Sequence, residues 1–201
     1  MAQGSNLVPF NATGSNLEEF EFEKTLKKNL EFPDSGGGTV VFKRSKLVKR
    51  MVDTFVSKYE GEYSNFYFHH AAGTGKTVLM KLFGKELQER GFIVYMLTAP
   101  EFIYIEKDYF DRLLSKVEGK QVAVLVDEVH RNVNAYHWDL LLKGAPKNLL
   151  VIGAGISDLM FQSPQFKNKF PSDDNPSIGQ LTEEDMPEVL DHFIPKTDPQ
   201  K

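Results

Sequence analysis

Along this chain, stretches with apolar residues at helical spacing alternate with short runs that are apolar throughout. From Ser45, which reads as an N-cap, Leu47, Val48, Met51, Val52, Phe55, Val56 and Tyr59 fall on one side of a predicted helix that stops at Gly61. Residues 65–69 are aromatic and strand-like, and residues 77–90 place Val78, Leu79, Leu82, Phe83 and Leu87 on one helix face. Gly91 reads as a C-cap, 92–97 as a buried strand, and 107–117 as a helix with Tyr109, Phe110, Leu113, Leu114 and Val117 inward. The run 121–126 is a further strand, 136–142 a short helix, and 148–152 a strand ending in the turn-like Gly153-Ala154-Gly155. Residues 39–42 read as a short extended run and 170–179 as a loop. The last helix is predicted from Thr182 as cap, with acids in its first turn, Met186, Val189, Leu190 and Phe193 inward, and Pro187 able to shift its start by a turn. Strands that are apolar along their whole length, each followed by a helix, predict a mostly parallel central sheet with helices on both faces, an α/β three-layer architecture.

The ends differ from this pattern. Residues 1–38 combine a flexible Gly/Ser/Asn-rich leader with a short amphipathic segment around Phe20 and Phe22, residues 39–194 form the core, and 195–201 read as a loose tail. The 201 residues accommodate one ordinary domain with a proper core. A net charge of −4 excludes a chain built as a whole to bind polyanions, and the absence of cysteine removes disulfides, thiolate catalysis and Cys-based zinc sites. The N-terminus lacks the basic start and apolar core of a signal peptide, and no run is long enough to span a bilayer. The expectation is an intracellular protein with no membrane partner.

Between the predicted strand at 65–69 and the helix at 77–90 lies His70-Ala71-Ala72-Gly73-Thr74-Gly75-Lys76-Thr77. Strand, Gly-rich turn and helix form the context in which a phosphate loop works, and the core is therefore expected to be a P-loop NTPase. Backbone amides from His70 through Val78 and the helix N-terminus would face the phosphates. Lys76 would add a mobile charge, and the Thr77 hydroxyl would bind Mg²⁺. The usual pattern is GxxxxGK(S/T), and His70 stands where the first glycine belongs. About fifty positions downstream of Lys76, the apolar run Val122-Ala123-Val124-Leu125-Val126 ends in Asp127-Glu128. At the carboxyl end of a parallel strand, Asp127 can hold Mg²⁺ and Glu128 can orient and deprotonate the attacking water. A solvated strand end is the alternative for the acids, and a fortuitous Gly-rich turn the alternative for the loop; the two motifs together favour ATP and Mg²⁺ as ligands.

Weaker candidates surround these. Ser157 is the first hydroxyl after the strand at 148–152 and a candidate γ-phosphate sensor, with a tight glycine turn as the alternative reading. His130 could contact substrate water or serve as a cap. Lys43, Arg44, Lys46, Lys49 and Arg50 could form a nucleic-acid patch but also supply the polar face of the first helix, so nucleic acid is not indicated. Arg44 could separately reach a nucleotide from before that helix, and Arg112 and Arg131 are candidate arginine fingers or solvated surface residues.

The loop from His70 to Thr77, the Asp127-Glu128 pair, and Val151-Ile152-Gly153-Ala154-Gly155-Ile156-Ser157 followed by Ser163-Pro164-Gln165-Phe166 together resemble the P-loop ATPase region of Crinkler-type proteins, within the AAA/STAND-like ATPases. Val40-Val41-Phe42 with Arg44 resembles the segment such ATPases place near the adenine. The resemblance implies an ATPase module that normally precedes a nuclease-like domain and acts in a host nucleus. Against that pattern, the sequence leads to the expectation of no export header and no nuclease or helical lid after Phe193, and it carries His70 in the loop. The resulting expectation is a Mg²⁺-dependent nucleoside-triphosphate-binding ATPase, with Lys76 and Glu128 catalytic. The alternative is a non-hydrolysing or nucleotide-switched interaction module, with self-association or a protein partner. A small-molecule kinase is a third reading, which the glutamate directly after Asp127 fits less well.

Overall fold

The computed structural model describes Lys24, residues 44–58, 64–69, Ala71, 73–99, Ile105, 107–117, 119–131, 146–156, Glu183 and residues 185–193. In chain order these form α1 (Ser45–Lys58), β1 (Ser64–His69), α2 (Lys76–Glu89), β2 (Ile93–Thr98), α3 (Lys107–Ser115), β3 (Val122–Asp127), a 3₁₀ turn (Val129–Arg131), β4 (Leu149–Gly155) and α4 (Met186–Phe193). The four strands make one parallel sheet in the order β1-β4-β3-β2.

The sheet is covered on both faces, which explains why its strands are apolar at every position rather than at alternate ones. Successive side chains point to opposite faces. Val94 and Met96, Ala123 and Leu125, and Leu150, Ile152 and Ala154 pack on one face against Val48, Val52 and Phe55 of α1 and Leu79, Met80, Phe83 and Leu87 of α2. Tyr95 and Leu97, Val122, Val124 and Val126, and Leu149 and Val151 face the other way, with Tyr67 and with Tyr109, Phe110, Leu113 and Leu114 of α3. The rings of Phe55 and Phe83 meet at 5.5 Å between centroids and tie α1 to α2. Arg90 adds ion pairs to Asp53 at 2.7 Å and Glu86 at 2.8 Å, on a partly exposed rim where such contacts contribute little. α2 ends as its sequence suggests, with Gly91 donating to the Gln88 carbonyl and Phe92 to the Leu87 carbonyl.

Three expectations change. Residues 153–155 are not a turn, because β4 runs through Gly155 with each residue paired to β1. Arg44, not Ser45, occupies the capping position of α1: its carbonyl accepts from Val48 N at 3.0 Å, and its φ is 44°. The last helix starts at Met186, the one-turn shift that Pro187 allowed, with Pro187 in the first turn where its missing N–H costs nothing. Two of the four apolar residues expected inward are exposed instead, Met186 at 42% and Leu190 at 46%, while Val189 is half-buried. That segment is anchored by Asp185, only 5% exposed, which pairs with Arg44 at 3.1 Å. The extended run at 39–42, the short helix at 136–142, the loop at 170–179 and the amphipathic segment near Phe20 lie outside the described residues.

Candidate phosphate and metal site

The loop after β1 enters α2 through two glycines in the left-handed region, Gly73 at φ 77° and Gly75 at φ 81°. That conformation disfavours any residue with a Cβ, which is why glycine recurs at this spacing. Gly75 holds the capping position of α2 and has no side chain with which to cap it; its carbonyl accepts from Leu79 N at 2.9 Å. The first amides of α2 therefore open toward the loop, together with the positive end of the helix dipole. Thr74 Oγ1 and Lys76 Nζ both donate to the Ala71 carbonyl, at 2.8 Å and 2.6 Å, so the loop closes on itself through its own side chains. Burial pushes the Lys76 ammonium below the ordinary lysine range, and the nearby Asp127 pulls the other way.

Thr77 and Asp127, fifty positions apart, meet here. Thr77 Oγ1 donates to Asp127 Oδ2 at 2.5 Å. The alternation along β3 explains the meeting: Asp127 follows Ala123 and Leu125 on the face that α2 covers. Asp127 is 4% exposed, and its other oxygen accepts from Glu128 N at 2.8 Å. Glu128 itself has φ 56°, an uncommon conformation for a residue with a side chain, held by a network rather than by local preference. Its carboxylate pairs with Arg131 at 3.1 Å.

A hydroxyl and a carboxylate oxygen within hydrogen-bond distance, beside the N-terminus of α2, make a hard-oxygen donor pair of the kind that could hold Mg²⁺. No cluster of three or more His, Cys, Asp or Glu side chains that could hold a metal ion occurs among the described residues.

The structure thus gathers Ala71, Gly73, Thr74, Gly75, Lys76, Thr77, Asp127 and Glu128 at the carboxyl edge of the sheet, with Val78 half-buried in the first turn of α2. His70, Ala72 and Ser157 lie outside the described residues. Arg44 engages Asp185, Arg112 lies 6.0 Å from the centre of the Tyr109 ring, and Arg131 is placed on Glu128. Two neighbours were not anticipated. Thr98 ends β2 directly opposite Asp127. Lys81 lies one helical turn after Thr77; burial pushes its ammonium below the ordinary lysine range, the Asp127 charge pulls the other way, and Lys85 adds a smaller push down. Only the i, i+4 spacing from Thr77 could have pointed to Lys81 in advance.

Neither a protein-family model nor a curated protein matches this chain. Solved structures similar to it include PCH-2 of C. elegans, at 18% identity and TM-score 0.48 over 81% of this chain and 47% of that one. A DNA replication initiation factor aligns at 16% identity and TM-score 0.47 over 77% of this chain and 52% of that one. A Thermotoga maritima RuvB variant aligns at 18% identity and TM-score 0.43 over 63% and 42%. The chain spans about half the length of these structures. Its own coordinates carry the assignment: a parallel sheet covered on both faces, with a glycine loop between β1 and α2 and an acid at the end of β3, is an α/β P-loop fold.

Proposed function

We propose that this chain binds a nucleoside triphosphate with Mg²⁺ and hydrolyses it. The observation that carries the reading is the Thr77–Asp127 hydrogen bond, which joins the phosphate loop to the acidic strand end at the spot where a metal and a γ-phosphate would share oxygens. Mg²⁺, when bound, supplies charge neutralisation on the β- and γ-phosphates. The side chains do the rest. Lys76 exchanges the Ala71 carbonyl for phosphate oxygen, and the loop amides from 70 to 78 hold the remaining oxygens. Thr77 Oγ1 and Asp127 Oδ2 would be the protein groups that hold the metal. Glu128 orients a water and takes its proton. Arg44 is assigned to the nucleobase end, in keeping with the resemblance that Val40, Val41 and Phe42 share. The Crinkler-like identity rests on that sequence resemblance, of which Gly153, Ala154, Gly155 and Ile156 lie in and just after β4.

A second reading, a nucleotide-switched interaction module that turns over slowly or not at all, is favoured by the Glu128–Arg131 pair, which engages the carboxylate that must act as base. Among the described residues no helix is long and apolar enough to cross a membrane, and the assignment to an intracellular compartment, or a host nucleus, remains a proposal.

Calorimetry with ATP and Mg²⁺, followed by phosphate release, separates the readings. Heat with release supports hydrolysis, and heat without release supports the switch. No heat overturns both.

A further inference from the structure

β1 and β4 are neighbours, and Tyr67 stands opposite Gly153. Residues two apart on a strand share a face, so Gly155 continues the same line past Gly153. The tyrosine ring runs along that line. A Cβ built on Gly155 would collide with the Tyr67 hydroxyl oxygen and lie 3.2 Å from the ring carbon that bears it. Beyond the glycine, the hydroxyl donates to the Ile156 carbonyl at 3.2 Å. The same Cβ would lie 3.4 Å from the backbone nitrogen of His130. The tyrosine hydroxyl, the last residue of β4 and the 3₁₀ turn that follows Glu128 therefore converge on one point. Burial pushes the phenol pKa well above its usual value, so the hydroxyl stays a neutral donor throughout the working range. Tyr67 is also three residues before His70, on the strand that delivers the phosphate loop.

We propose that Tyr67 is a positioning residue for hydrolysis: by crossing the side-chain-free Gly155 and holding the Ile156 carbonyl, it fixes the end of β4 against the turn behind Glu128 and so sets the glutamate carboxylate relative to the phosphate loop. The proposal rests on the hydrolytic reading, because the effect it assigns is on turnover. A ring anchored on the loop strand, pressed over the neighbouring strand and ending beside the base's own turn links the group that holds the phosphate to the group that activates water. Misplacement of a base by about an ångström is enough to slow chemistry by up to about a hundredfold while leaving binding intact. The hydroxyl acts through Ile156 and the turn, not on substrate.

The test compares wild type, Tyr67→Phe, Gly155→Ala and the double variant for Mg-ATP KM, kcat and melting temperature. Tyr67→Phe is expected to lower kcat about tenfold with KM within about twofold of wild type. Gly155→Ala is expected to lower both kcat and melting temperature, because its methyl group needs the space of the hydroxyl. In the double variant that oxygen is gone, and kcat and melting temperature should recover above those of Gly155→Ala alone. Wild-type kcat in Tyr67→Phe, or effects of the two substitutions that simply multiply, would overturn the positioning role while leaving the hydrolytic reading standing. Absence of turnover in wild type would overturn the hydrolytic reading and this inference with it.

Discussion

Two adjacent strands end at the candidate site in opposite ways. β3 ends in Asp127, whose carboxylate reaches the Thr77 hydroxyl and the Glu128 amide. β4 ends in Gly155, which contributes nothing of its own and is crossed by a side chain from β1. One strand end works by presenting a charge and the other by leaving a space. The difference shows that a site of this kind needs both a set of reacting groups and a set of omissions that let distant elements close around them. The two ends also respond differently to substitution, chemistry failing at one and geometry at the other.

The largest expected effect is at the β3 end. Glu128→Gln should keep Mg-ATP binding and lower turnover by about 10²- to 10⁴-fold, the range a general base contributes, as read by phosphate release. Turnover at the wild-type rate would remove Glu128 from the mechanism and blur the contrast between the two ends. Next in size is a packing change that both ends depend on. Phe83→Ala, which empties the contact with Phe55 beneath the sheet, should cost about 3–5 kcal/mol in chemical denaturation. Gly155→Ala should destabilise by about 1–3 kcal/mol, as overpacking does, whether or not nucleotide is present. A neutral Gly155→Ala would mean that the space at the end of β4 is incidental. The smallest effect belongs to a surface that neither end uses: Leu190→Ser, at a position 46% exposed on α4, should change stability by no more than about 0.5 kcal/mol.

Much of this was legible in the sequence because the signals were local. The alternation of apolar runs and helical spacing gave the layered sheet, since a strand covered on both faces has no reason to alternate. The loop glycines and Asp127 were legible because each is demanded by backbone conformation or by charge at a defined place. The end of β4 was not. Gly153-Ala154-Gly155 looks like a turn when only neighbours in sequence are considered, and the reason for Gly155 lies in Tyr67, more than eighty residues earlier. α4 misled in the other direction: Met186 and Leu190 fall at inward spacing, yet spacing says nothing about whether a partner surface is present. The Arg44–Asp185 pair was equally hidden, because a basic residue near a predicted helix start reads first as part of a polar face.

The most direct measurement is calorimetric titration of ATP with Mg²⁺ into wild type and Lys76→Ala. Lys76 Nζ rests on the Ala71 carbonyl and is poised to move to phosphate, so wild type should give a saturable heat that chelation of Mg²⁺ weakens and that Lys76→Ala loses. A wild-type protein without heat, or a Lys76→Ala protein that binds as well as wild type, would contradict the assignment of the loop between β1 and α2 as a nucleotide site.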